Sequence, residues 1–261
     1  VKILMIGDIV GRPGRQAVLH GLKQWRGQRK WDLVLANGEN AAGGNGLSAV
    51  LANELRGYGV DGITLGDHVW DQKDFDREIE GLDFVCRPAN LPAQCPGRTH
   101  LIFDMEDGSK LAILTVLGRT FMKPCDCPFA VAMQQVKALK AAGCHVIVEI
   151  HAEATSEKIA LGHYLDGVAL AVVGTHTHIP TADAGVLSMG TGFICDIGMT
   201  GPYHSVLGRE ISPVIGRFLD GMPRRFPVAE ADVRFSAVEI SYDSRTGRCE
   251  QVDLLHRRLD C

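Results

Sequence analysis

Lys2-Ile3-Leu4-Met5-Ile6-Gly7-Asp8 begins with a short apolar run and stops at a carboxylate, and the same pattern recurs four times along the chain. Leu33-Val34-Leu35-Ala36 leads to Gly38-Glu39-Asn40, and Ile63-Thr64-Leu65 to Gly66-Asp67-His68. Val146-Ile147-Val148-Glu149-Ile150 ends at His151, and Leu170-Ala171-Val172-Val173-Gly174 at Thr175-His176-Thr177-His178. Short β-branched runs separated by helix-length stretches read as buried parallel strands. In open α/β sheets, ligands sit outside the carboxyl ends of such strands. One such residue is ordinary turn chemistry, since Gly, Asp and Asn favour turns for backbone reasons. Three carboxylates, three histidines and an Asn at successive strand ends are costly to bring together unless cations neutralise them. The pattern therefore predicts a shared metal site at one sheet edge.

Working outward, Gly11 to Gly27 carries Val18, Leu19, Leu22 and Trp25 at helical spacing, with Pro13 near its start where a missing N–H is harmless. Ser48 is an N-cap for a helix over Ala49–Tyr58, and Gly59 is its stop. A shorter, charged helix is expected over Gln72–Glu80. Leu101-Ile102-Phe103 and Leu111 to Val116, joined by Glu106-Asp107-Gly108-Ser109, predict a hairpin. Helices over Pro128–Ala142 and Ser156–Tyr164 restore the βαβ rhythm. The chain then returns to strands at Val186-Leu187 and Phe193-Ile194-Cys195, and to a hairpin of Arg234–Tyr242 with Arg248–Leu255. This mixture implies an α/β fold of two sheets packed face to face with helices outside.

With 261 residues and 46 % hydrophobic content, residues 1–261 are expected to form a single domain with a full core. A formal charge of -4 gives no basic footprint for tracking nucleic acid, so no stable nucleic-acid complex is expected. A small charged metabolite is the more natural partner. No apolar run reaches membrane-spanning length, and Lys2–Ile6 meets Gly7-Asp8 without a cleavage pattern, so the cytoplasm is the expected location. The eight cysteines are scattered and expected to be reduced, with Cys144 and Cys195 as buried apolar fillers. Cys125-x-Cys127 lacks the partners that a metal knot or redox motif needs.

Mixed oxygen and nitrogen donors in this number exceed what one four-coordinate zinc requires, and two divalent transition metals fit better. Chemically, zinc is allowed as well. Two metals can hold a water as hydroxide for in-line attack on phosphorus and stabilise the charge developing on the phosphoryl oxygens.

Seven blocks, in order, carry a resemblance: Gly7 to Gly11, Asn37 to Gly44, Gly66 to Asp71, Gly118 to Met122, His151 to Lys158, Gly174 to His178 and Asp196 to Tyr203. Together they resemble the calcineurin-like metallophosphoesterases of the YmdB type. That resemblance implies a four-layer α/β/β/α sandwich of two mixed sheets, a dinuclear iron or manganese centre, and hydrolysis of small phosphodiesters, with 2',3'-cyclic nucleotides as substrates. It implies Asp8, Glu39, Asn40 and His178 around one metal and Glu39, Asp67, His151 and His176 around the other, with Glu39 as the bridge. His68 is implied as the general acid to the leaving alkoxide, consistent with imidazole titrating near neutral pH. A phosphomonoesterase, or a regulatory protein that senses nucleotide or metal, remains an alternative, and a homo-oligomer is left open. Val1 stands where the family has its initiator Met, and a GTG start translated as Val would account for it, which leads us to expect a bacterial source.

Trp70 and Phe121 are candidates to stack a base, though core packing serves them equally, and Arg119 is a candidate phosphate partner. His204 reads as a surface histidine. Val10 replaces the histidine of the Asp-x-His start common to calcineurin-like enzymes, a mark of the YmdB branch. Asp67 stands where the family usually has Asn, adding a negative charge beside the second metal. Extra anionic donation predicts tighter metal binding and a weaker Lewis acid. Asp67→Asn is therefore expected to weaken divalent-metal affinity and move the pH–rate profile toward lower pH, and an unchanged profile and affinity would contradict this.

Overall fold

The computed structural model describes residues 1–25 and 27–259, so Arg26, within the expected Gly11 to Gly27 helix, and the last two residues of the expected domain lie outside the described residues. The first sheet contains β1 (Lys2–Ile6), β2 (Leu33–Asn37), β3 (Gly62–Thr64) and β4 (Val85–Cys86), all parallel. Beyond β1 it continues antiparallel through β12 (Val233–Asp243), which pairs with β11 (Gly201–Pro202) and β13 (Arg248–Arg258). The second sheet has the order β5 (His100–Asp104), β6 (Lys110–Leu117), β7 (Cys144–His151), β8 (Ala171–Thr175), β10 (Gly192–Ile194) and β9 (Gly185–Val186). Its four central strands are parallel, and the pairs at both edges are antiparallel.

Strand alternation sorts the apolar residues into three cores. Leu4, Ile6, Val34 and Ala36 face outward onto α1 (Gly11–Trp25) and α2 (Ala49–Tyr58), meeting Ala17, Val18, Leu22, Ala52 and Leu55. Ile3, Met5, Leu33 and Leu35 face inward, against Leu111, Ile113, Ile147 and Val173 of the second sheet. Ala112, Leu114, Val146, Val148 and Val172 face outward again, onto α4 (Pro128–Ala141) and α5 (Thr155–Tyr164). Each of these parallel strands thus buries both faces, which is why its sequence reads as a continuous apolar run. The four expected layers are present, helix, sheet, sheet, helix.

The same parity places the ends of the inner rows. Leu33, Leu35 and Asn37 share one face, as do Ile147, Glu149 and His151, Ile113 and Thr115, and Val173 and Thr175. Polar groups therefore begin where the inner core stops, at the carboxyl ends of the parallel strands. A groove of about 500 Å³ between Asp32, Arg56, Asp83 and Phe103 lies at the opposite edge, before β2 and β4, away from these groups.

Local signals behave as their chemistry requires. Leu51 N–H donates to Ser48 Oγ at 3.4 Å, and Gly59 takes φ 103° to close α2. Asp104 pairs with Lys110 across the expected hairpin. The expected helix over Gln72–Glu80 is shorter: α3 spans only Phe75–Glu78, followed by a 3₁₀ turn over Ile79–Gly81. Asp74 sits in the left-handed region at φ 64°, so no helix can run through it, and the Gln72 side-chain amide before it donates to the Asn45 carbonyl at 2.6 Å. One helix was not foreseen, α6 (Ile211–Asp220). Pro213 sits in its first turn, where Pro is tolerated, and Ile211, Val214, Ile215, Phe218 and Leu219 repeat at the i, i+3, i+4 spacing of a helix, although only Val214 is buried.

Candidate metal centre

Each candidate residue lies in the loop or last position after a parallel strand. Asp8 follows β1, Glu39 and Asn40 follow β2, Asp67 and His68 follow β3, His151 ends β7, and His176 and His178 follow β8. The two sheets therefore bring all eight side chains to one edge. Asp8, Glu39, Asn40 and His151 are buried, and the others border solvent.

The geometry falls into two groups that share Glu39. In the first, one donor atom each from Glu39, Asp67, His151 and His176 lie within 4.8 Å of one another. His151 Nε2 is 3.0 Å from Glu39 Oε1 and 3.1 Å from Asp67 Oδ1, and His176 Nδ1 is 3.0 Å from His151 Nε2 and 3.4 Å from Asp67 Oδ1. In the second, Asn40 Nδ2 lies 3.1 Å from Glu39 Oε1 and 3.4 Å from His178 Nε2, while His178 Nε2 is 3.8 Å from Asp8 Oδ1. Gly66 lines the first group so closely that a Cβ there would collide with Glu39 and His151. The site is thus a cradle that only a glycine leaves open.

Three observations say that the donor set fits divalent cations. Asp8 Oδ1 is buried with no hydrogen-bond partner, although its Oδ2 accepts from the His176 N–H at 3.2 Å. A buried carboxylate oxygen left unpaired is costly, and a cation between Asp8 and His178 removes that cost. Each of the three imidazoles also turns one nitrogen outward onto an oxygen. His178 Nδ1 lies 3.2 Å from the Leu207 carbonyl, His176 Nε2 3.3 Å from Glu153 Oε2, and His151 Nδ1 2.9 Å from Thr175 Oγ1. A ring nitrogen that donates outward leaves the other with its lone pair toward the cluster, the arrangement a metal-binding imidazole needs. Finally, imidazole, carboxylate and amide oxygen are the donors of divalent transition metals. The Asn40 amide offers its oxygen after a flip about its last torsion, since N and O occupy equivalent positions.

The loop after β8 is strained. His176 and His178 have φ of 94° and 65°, a region non-glycine residues avoid at a cost of about 1–3 kcal/mol each. Thr177 between them is clamped: its N–H and Oγ1 donate to Asp196 Oδ2 at 3.1 and 2.7 Å. The buried Lys158 ammonium reaches the same oxygen at 2.6 Å, and the Gly198 N–H binds Asp196 Oδ1 at 2.8 Å. A buried ion pair with satisfied hydrogen bonds is thus the support of the histidine loop.

His68 lines the adjoining cavity of about 260 Å³. Its backbone N–H donates to Glu39 Oε2 at 3.1 Å, and its Nδ1 lies 2.7 Å from Asp71 Oδ2. Asp71, Glu153 and the Lys158–Asp196 pair have no role in the sequence reading. Only Asp71 carries a local signal, three residues after His68. Arg209 also lines the cavity, and its guanidinium donates to the Gly43, Gly44 and Phe226 carbonyls and to Asn45 Oδ1. Nothing in the sequence links it to the loop it holds. Of the other candidates, Phe121 and Arg119 are exposed and do not line the cavity, Trp70 packs beside the first core, and His204 is on the surface.

The charges of the cluster are interlocked. Burial pushes Asp8 up to about 7 against the pull of His151. Burial also works against ionisation of Glu39 and Asp67, but His151 outweighs it in Glu39, and His151 with His176 outweighs it in Asp67, so both sit below the usual carboxylate range. His151, disfavoured by burial, is held well above its ordinary value by Glu39 and Asp67. Burial lowers His178.

A model described as YmdB-like protein matches residues 4–255. A 2',3'-cyclic-nucleotide 2'-phosphodiesterase of Bacillus subtilis (strain 168) is 41 % identical over 253 residues, covering 97 % of this chain and 96 % of that protein. Among solved structures, a hypothetical protein from Thermus thermophilus superimposes with a TM-score of 0.91 at 42 % identity, over 99 % of both chains. A novel phosphatase from Mycoplasma pneumoniae gives a TM-score of 0.93 at 31 % identity, over 99 % of this chain and 93 % of the other.

The interlocked charges predict a pH dependence of metal-free stability. Asp8 binds its proton more tightly folded than unfolded, so its contribution is full below its ordinary value of 3.8 and is lost as pH rises through about 7. His151 acts in the same sense at higher pH, while Glu39 and Asp67 contribute above their ordinary values and lose that contribution on acidification. Chelator-treated protein is expected to show a thermal midpoint that falls from about pH 6 to about pH 8, and added divalent cation to remove the fall. A midpoint that rises over that window without metal would contradict the assignment.

Proposed function

The chain belongs to the YmdB-like family, and we propose that it is a metal-dependent phosphodiesterase that hydrolyses small cyclic nucleotides, 2',3'-cyclic nucleotides first among them. We propose further that residues 1–261 act as one domain, in the cytoplasm of a bacterium. No helix among the described residues is long and apolar enough to cross a membrane. The observation that carries the reading is the placement of Glu39 between two groups of donors at one sheet edge. Asp8, Glu39, Asn40 and His178 would hold one divalent ion, and Glu39, Asp67, His151 and His176 the other. Iron or manganese suits this set by family resemblance, and zinc suits it by donor chemistry. When bound, such a pair supplies Lewis acidity toward the phosphoryl oxygens and lowers the pKa of water.

The chain's own residues do the rest. Gly66 keeps the floor of the cradle free of side chain, and the strained His176–His178 loop is held by Asp196 and Lys158. His68 is placed at the cavity wall with Nδ1 held by Asp71, and as the imidazolium it has Nε2 as the nitrogen that delivers a proton to the leaving oxygen. Water gives up a proton to solvent as its oxygen bonds to phosphorus, the bond from phosphorus to the ribose 2'-oxygen breaks, and that oxygen leaves with the proton from His68, which solvent then replaces.

A diester suits the cavity better than a monoester. Arg209, the arginine that lines it, commits its guanidinium to three backbone carbonyls and Asn45, and so offers no free fork to a dianionic terminal phosphate. The His68–Asp71 pair favours turnover over sensing alone, since a sensor needs the ligands but has no use for an acid.

Metal-loaded protein is expected to hydrolyse 2',3'-cyclic nucleotides ahead of 3',5'-cyclic nucleotides and simple monoesters, and to stop when chelator is added. Loaded protein that turns over only monoesters, or nothing, would contradict the proposal. His68→Ala is expected to lower kcat by roughly 10²–10⁴ while leaving metal content unchanged, and full activity in that variant would remove His68 from its role.

A further inference from the structure

Two residues before His151, on the same inner face of β7, lies a second fully buried acid, Glu149. Its hydrogen-bond partners come from three other strands and both sheets. Oε1 accepts from Asn37 Nδ2 at 2.6 Å and from Thr175 Oγ1 at 2.7 Å, and Oε2 from Thr115 Oγ1 at 3.2 Å. All three donors are neutral. An apolar residue here would continue the inner core at lower cost, so the acid calls for a reason.

With Glu149 ionised, proton accounting along this network has one solution. Asn37 Oδ1 accepts the Glu39 N–H at 3.1 Å, so the amide is committed and its Nδ2 faces Glu149. Oε1 of an ionised Glu149, already accepting from that amide, has no proton to give and accepts from Thr175 as well. The Thr175 hydroxyl has a single proton, which goes to Glu149, and its oxygen is left to accept from His151 Nδ1 at 2.9 Å. His151 must therefore carry a proton on Nδ1, and Nε2 is the nitrogen turned to Glu39 and Asp67. Register makes the contact, because Thr175 is the partner of His151 across β7 and β8, and Thr115 is the partner of Glu149 across β6 and β7.

We propose that Glu149 is a positioning residue that acts through Thr175: it sets the Nδ1–H tautomer of His151 and so presents the Nε2 lone pair at the second metal position. Through Asn37 the same carboxylate steadies the backbone of Glu39, so the bridging carboxylate and the histidine answer to one buried group. The inference rests on the two-metal reading of the site. Histidine ligands commonly donate their outer N–H to a carboxylate directly, and losing that partner typically weakens metal binding about 10–100-fold. Here a threonine hydroxyl spans the gap.

Mn²⁺ binding to the full chain, measured by calorimetry for wild type, Thr175→Val and Thr175→Ser, tests it. Thr175→Val keeps the shape of the side chain and removes the hydroxyl, and it is expected to weaken one of the two Mn²⁺ sites by about 10–100-fold. Thr175→Ser restores the hydroxyl and is expected to recover most of that loss, which a packing role for the methyl group would not do. In Zn²⁺-loaded wild-type protein, long-range ¹⁵N NMR is expected to find the His151 proton on Nδ1, a result independent of how the variants fold. Wild-type affinity in Thr175→Val, a serine variant as weak as the valine one, or a His151 proton on Nε2 would overturn the relay. Wild-type protein that takes up no Mn²⁺ would overturn the two-metal reading itself, and the relay with it.

Discussion

The constraint on which the rest depends is charge compensation beneath a single sheet edge. Asp8, Glu39, Asp67, Glu149 and Asp196 converge there, all but Asp67 being buried. Lys158 answers Asp196, and histidines face Asp8, Glu39 and Asp67. Buried carboxylates either lose their charge, find a cation or accept several hydrogen bonds. This site uses all three means. Asp8 is pushed up to about 7, Asp196 takes an ammonium and three further donors, and Glu149 takes three neutral donors. What remains is a deficit of positive charge around Glu39, where the two proposed divalent ions would sit. The fold reads as a scaffold that holds this deficit open, with a glycine at position 66 where any side chain would close it.

Strand parity is the means by which the sequence builds this edge. Because successive side chains alternate faces, the inner rows of the two sheets end together, and polar residues two positions beyond the last apolar one meet across the sandwich. Asn37 reaches Glu149 in this way, and His151 reaches Glu39. The turn after β8 brings two histidines inward from three consecutive residues, at the cost of backbone strain at both, with an ion pair beneath the threonine between them. Strain at such a turn persists only where its surroundings over-determine it, and Asp196 with its four donors is the surrounding that does so.

Much of this was legible in the chain. Five apolar runs ending in candidate ligands predicted the parallel strands and the convergence, and family resemblance extended the reading to four layers. Capping at Ser48 and Gly59 was read from local chemistry alone. The failures have a common physical cause, which is dependence on distant partners. The helix expected over Gln72–Glu80 is cut short because Gln72 and Asp74 serve the loop after β2 and a left-handed turn. The helix Ile211–Asp220 is a different case, since Ile211, Val214, Ile215, Phe218 and Leu219 show its period in the chain itself, and only its lack of a buried face is settled by the fold. Lys158, Asp196 and Arg209 act across gaps of 38 and about 165 residues, so although two of them fall in the family's blocks, nothing local pairs any of them with its partner. Arg119 and Phe121 show the converse: side chains suited to a nucleotide that the loop turns away from the cavity.

The central claim is that these residues form two adjoining cation positions bridged by Glu39. Anomalous diffraction at the manganese edge, from crystals of the protein grown with Mn²⁺, tests it most directly. The account predicts two peaks, one bounded by Asp8, Glu39, Asn40 and His178 and the other by Glu39, Asp67, His151 and His176, with the Asn40 amide oxygen turned toward the first. A single peak, or peaks that leave Asp8 Oδ1 without a partner, would contradict it.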